Sequence, residues 1–135
     1  MNKSIKYLLP AGIVLAAGLG WFVNRTPFSP FGDEASAPSA DAQLVQRGEY
    51  VARLSDCVAC HSTPKSAPFA GGLEMATPMG SIYATNITPD KQTGIGNYSL
   101  ADFDRAVRSG VAADGHRLYP AMPYPSYAKL SDDDV

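Results

Sequence analysis

Cys57-Val58-Ala59-Cys60-His61 is the stretch on which the reading of this chain turns. Only two cysteines occur in 135 residues; they stand three apart, and one of the two histidines follows at once. So few cysteines exclude a disulfide-stapled miniprotein. Working outward, Asp41 is placed to cap a helix running to about residue 57, with Leu44, Val45, Gly48, Val51, Ala52 and Leu54 recurring at helical spacing, so the cysteine pair falls at its end. Gly48 in mid-helix costs about 1 kcal/mol relative to Ala and predicts the close approach of another helix. A second helix is predicted over 100–109, with Ser99 as cap, Asp102 as capping-box acid, Phe103, Ala106 and Val107 on its face, and Gly110 as its stop. Between them the chain is rich in Pro and Gly, without sustained alternation for a sheet, and a short extended piece fits at 81–85. The expected fold is all-α, small and poor in core unless another group fills its centre.

Cys-x-x-Cys-His is the attachment pattern of c-type haem. Two thiols on one helical turn can reach the two vinyl groups on one porphyrin edge, and the following imidazole then lies under the ring, where it can bind iron. Three other chemistries use such residues. A thioredoxin-type pair belongs after a strand at a helix start. A zinc site would need Cys57, Cys60, His61 and His116 together, and a plain Cys57–Cys60 disulfide explains nothing about His61. Covalent haem c, one per chain, accounts for all three residues. For the sixth position of the iron, Met122 stands in Tyr119-Pro120-Ala121-Met122-Pro123-Tyr124, where the flanking prolines stiffen the loop. Met75 and Met79 are the other candidates. His116 follows the turn pair Asp114-Gly115 and reads as a solvated surface residue. The site residues are therefore Cys57, Cys60, His61 and Met122, with His61 and Met122 on the metal. No catalytic residue is assigned. The Nδ1–H of His61 is expected to donate to a backbone carbonyl in the loop of Pro64 and Pro68.

The chain ends add to this. Tyr7 to Val23 are seventeen uncharged positions behind Lys3 and Lys6 and ahead of Arg25. Residues 1–25 therefore read as a signal-anchor or a signal peptide, with 7–23 in the inner membrane and the remainder exported to the periplasmic side. Residues 26–40 read as a flexible linker, rich in Pro, Ser and Ala, in which Phe28 and Phe31 stand isolated. Residues 41–135 are the domain. Beyond Arg25 the chain carries eight basic against thirteen acidic side chains, too few cations to favour nucleic acid as a partner. Ser131-Asp132-Asp133-Asp134 is a helix start, and the domain is expected to be incomplete at its C-terminal helix.

Taken together, these residues resemble class I cytochrome c domains. The resemblance extends through Gly71-Gly72-Leu73, Thr77-Pro78-Met79-Gly80, Thr85-Asn86-Ile87-Thr88-Pro89-Asp90, Thr93-Gly94-Ile95-Gly96 and Tyr119 to Tyr124. It is nearest to the first haem domain of the multi-haem cytochrome subunits of membrane-bound periplasmic dehydrogenases. Such subunits serve enzymes acting on alcohols, aldehydes, sugars, sugar acids or N-heterocycles. They usually carry three haem motifs on a longer chain, where this sequence has one, and position 98 is Tyr where relatives often have Trp. The resemblance implies an electron-transfer protein rather than an enzyme. Its partners would be a dehydrogenase on one side and quinone, an oxidase or another cytochrome on the other. Apolar packing around the porphyrin is expected from Phe69, Leu73, Tyr83, Ile87, Phe103, Val107, Leu118 and Tyr124. The alternatives are a haem-based sensor or small oxidase with a labile sixth ligand, and a fragment without function of its own.

Overall fold

Asp41 does cap the helix ahead of the cysteines, its carboxylate accepting from the Leu44 amide at 2.7 Å. The computed structural model describes the backbone of residues 3–32 and 41–135. Along it run α1 (Lys3–Asn24), α2 (Ala42–Leu54), α3 (Cys57–His61), β1 (Glu74–Thr77), β2 (Gly80–Tyr83), α4 (Leu100–Ser109), α5 (Tyr124–Tyr127) and a 3-10 turn at Asp132–Asp134.

The expected single helix up to residue 57 is two helices. α2 stops at Leu54, and Asp56 takes a left-handed conformation with φ 62°. That residue redirects the chain, so the cysteines lie on a separate helix of little more than one turn. α4 has the bounds and caps read from the sequence. Ser99 accepts from the Asp102 amide, Asp102 accepts from the Ser99 amide, and Gly110 ends the helix at φ 63°. The all-α expectation needs correction, because β1 and β2 form an antiparallel hairpin with Glu74 opposite Tyr83 and Thr77 opposite Gly80. Gly80, at φ 131°, turns the chain after Pro78-Met79 in a way the other residues would resist.

α4 packs against α5, and α2 against α3. Among the described residues the buried apolar set is Ala101, Val111 and Ala112, and no large side chain is fully buried. Asp104 is buried on α4 and lies 3.0 Å from Arg108. Arg108 also reaches Asp132 at 2.7 Å and donates to the Leu130 carbonyl at 2.7 Å. Arg47 on α2 donates to the Asp133 carbonyl and to Asp134 at 3.2 and 3.3 Å. Two arginines thus clasp the segment around the 3-10 turn to α4 and to α2.

α1 forms where the apolar stretch was read, and its side chains from Ile13 through Leu15 and from Trp21 through Val23 are exposed. Among the described residues, no helix is long and apolar enough to cross a membrane. The carbonyl of Val23 accepts from Arg117 at 2.7 Å. In the linker, residues 33–40 lie outside the described residues. Residues 26–32 are irregular, with Phe28 89% exposed. Phe31 is half-buried and lines a cleft with Leu44, Gly48, Val51, Leu100 and Val135. The close approach expected at Gly48 is not made by any described residue: a Cβ there would meet nothing within 4 Å.

Candidate functional site

The left-handed turn at Asp56 launches α3, and α3 carries Cys57, Cys60 and His61 within one turn of helix. Both thiols are free and half-buried. Burial pushes the Cys57 thiol above its ordinary range, against a backbone hydrogen bond that lowers it, and the charge of Asp56 adds to the rise. The four residues of the predicted site divide into two parts. Cys57, Cys60 and His61 are brought together by α3, while Met122 lies half-buried in the bend that leads into α5.

The ring of His61 is fixed by a bond from Nδ1 to the Thr85 carbonyl at 2.7 Å. A carbonyl only accepts, so Nδ1 carries a proton, and in the neutral ring Nε2 has the lone pair. No described residue bonds to Nε2. The acceptor is thus Thr85, beyond the hairpin, and not the loop of Pro64 and Pro68. That loop is occupied otherwise: Ser66 bonds Thr63 and the Gly71 carbonyl, and Ser62 accepts from the Phe69 amide. Gly71 lets Thr85 come close. The Gly71 amide donates to the His61 carbonyl at 2.7 Å, and a Cβ on Gly71 would lie 2.5 Å from the Thr85 backbone. In the sequence Gly71 and Gly72 stand out only through the family resemblance. The adjacent pair of glycines was the signal that could have pointed to this close approach.

The bend at Met122 is secured from both sides. Tyr124 lies on Gly110, where a Cβ would come within 2.7 Å of its ring. The Tyr127 hydroxyl donates to the Ser55 carbonyl at 2.8 Å. Burial, and then the charges of Cys57 and Cys60, push the Tyr127 phenol up. Nothing in the sequence singled out Tyr127. Of the expected lining, Phe69, Leu73, Ile87, Phe103, Val107, Leu118 and Tyr124 are half-buried. Tyr83 is exposed instead, and its phenol is pushed up by a hydrogen bond with Glu74 across the hairpin. His116 is at the surface as read, its Nδ1 2.5 Å from Asp114.

The donor set fits a c-type haem. Two free thiols share one turn, the neighbouring imidazole offers Nε2, and the domain buries only small apolar side chains of its own among the described residues. An arrangement of this kind defines a cytochrome c-type domain.

The comparisons with known proteins agree in class. The chain is 68% identical over 96 residues to the gluconate 2-dehydrogenase cytochrome c subunit of Pantoea cypripedii, covering 71% of this chain and 22% of that protein. It is 60% identical over 101 residues to the cytochrome c subunit of the quinone alcohol dehydrogenase of Gluconobacter oxydans (strain 621H), covering 75% and 21%. It is 47% identical over 124 residues to the fructose dehydrogenase cytochrome subunit of Gluconobacter japonicus, covering 91% and 24%. No family model matches the chain. The chain is thus a homologue of the cytochrome c subunits of bacterial dehydrogenases, and it spans about a fifth to a quarter of the length of these curated relatives.

Proposed function

We propose that residues 41–135 form an electron-transfer domain with one covalent haem c, attached through Cys57 and Cys60 and ligated by His61 and Met122. The observation that carries this reading is the His61 ring, whose Nδ1 is committed to Thr85 and whose Nε2 faces no described partner. When bound, the haem supplies one-electron redox chemistry at its iron. The chain's own part is to hold and orient. Thr85 fixes the imidazole plane. Pro120 and Pro123 restrict the backbone on either side of Met122. With His61 and Met122 both holding the iron, the site would leave no open position for a substrate, and the domain would relay electrons rather than catalyse. By analogy with the relatives, the donor is a dehydrogenase acting at the periplasmic face, and the acceptor is quinone, an oxidase or another cytochrome.

The same reading places the domain on the periplasmic side of the inner membrane, with α1 as anchor or export signal. Its apolar side chains are exposed around the helix, with Leu8 and Val14 each 69% exposed, as suits a helix covered by lipid or held by an export channel. The test is direct. The exported protein should keep a peroxidase-staining band on a denaturing gel and exceed the mass of the bare polypeptide by one haem. Its ferric form should show the far-red methionine–iron band, and Met122→Ala should abolish that band. A colourless band on the gel overturns the haem. Binding of CO by the unmodified reduced protein without denaturant points to the labile-ligand sensor or oxidase instead.

A further inference from the structure

We infer that Tyr127 is a positioning residue that locks the Met122 segment onto the turn feeding the haem-attachment helix; this rests on the ligand assignment just proposed. α5 is a single turn of four residues, its N-cap Pro123 makes no side-chain cap bond, and a helix so short does not hold itself in water. Its place is set from outside. Tyr124 lies on the bare backbone of Gly110, which fixes α5 against α4. Tyr127 reaches across 72 residues of sequence to the Ser55 carbonyl. That carbonyl is at the C-cap of α2, where the helix leaves acceptors without an intrahelical donor. Ser55 is followed at once by the left-handed Asp56 and then by Cys57. The hydroxyl therefore joins the segment of Met122 to the segment of Cys57, Cys60 and His61 by one directional bond, from a half-buried ring.

A bond in this place has a consequence that general stabilisation lacks. An outside ligand for the iron must wait for the Met122 segment to swing away, so its apparent affinity scales with the population of the open segment. A neutral hydrogen bond is worth about 1 kcal/mol net, which is about a fivefold shift of that population.

The experiment uses the haem-loaded ferric protein, titrated with imidazole while the far-red methionine–iron band is followed. Tyr127→Phe keeps the ring and loses the hydroxyl, and is expected to bind imidazole about fivefold more tightly. Tyr50→Phe, on the exposed side of α2, should match the parent. An imidazole affinity for Tyr127→Phe within twofold of the parent overturns the inference, including the case where its urea midpoint falls, for then the bond serves the fold alone. Tyr127→Ala, which also removes the ring, should exceed the Phe variant; equal affinities for Ala, Phe and parent would likewise overturn it. Absence of the far-red band from the parent itself overturns the ligand assignment and the inference with it, a result distinct from the others.

Discussion

His61 depends on a residue with no side chain. Gly71 sits at φ 74° with the Thr85 backbone where a Cβ would go. Gly71→Ala adds left-handed strain and pushes Thr85 off the imidazole, so it is expected to cost about 1–3 kcal/mol in urea unfolding and to move the Soret band. Asp90 shows the opposite kind of dependence, on charge. The Thr93 amide and hydroxyl and the Gln92 amide all donate to its Oδ1, at 2.7, 2.9 and 3.0 Å, and hold the carboxyl below its usual range. A carboxyl depressed in the folded state takes up its proton more readily when unfolded. Its stabilisation is whole above the unfolded value, near pH 4, and drains as pH falls through the folded one. Asp90→Asn should therefore be less stable than the parent at pH 7, with the gap between urea midpoints closing toward pH 3; a gap that stays constant would refute the assignment.

Among the elements, α4 is the one the sequence specified fully, because every signal for it is local. Ser99, Asp102 and Gly110 each act within a turn of themselves. Ser99→Ala removes the cap and is expected to lower stability by about 1 kcal/mol, read from thermal or urea unfolding. α2 was legible at its start for the same reason and misread at its end. No local rule requires an Asp to turn left-handed between two helical stretches, although Asp and Asn tolerate that conformation better than most. The β1–β2 hairpin was legible as at most one extended piece, since Glu74-Met75-Ala76-Thr77 does not alternate polar with apolar types and its partner is set by the turn at Gly80. The cysteine pair and His61 were legible because attachment chemistry dictates their spacing. The Thr85 acceptor and the Tyr127 bond were not, since both join positions far apart in sequence, 24 and 72 residues.

At the scale of the molecule the governing fact is how little apolar side chain lies inside among the described residues. Ordering one residue costs about 1–2 kcal/mol, and Ala101, Val111 and Ala112 offset few of those residues. The double variant Cys57→Ser with Cys60→Ser, unable to form thioethers, is thus expected to lose its cooperative thermal transition by circular dichroism. A sharp transition in that variant would show that the polypeptide supplies its own core. The two arginine clasps differ in a way that brine would expose. Arg47 and Asp134 have side chains 58% and 38% exposed, whereas that of Arg108 is 13% exposed. Molar sodium chloride shortens the reach of open charges to about 3 Å. Rising ionic strength should therefore peel residues 133–134 from α2 while Leu130 stays fastened to α4, and amide exchange at Asp134 would quicken first.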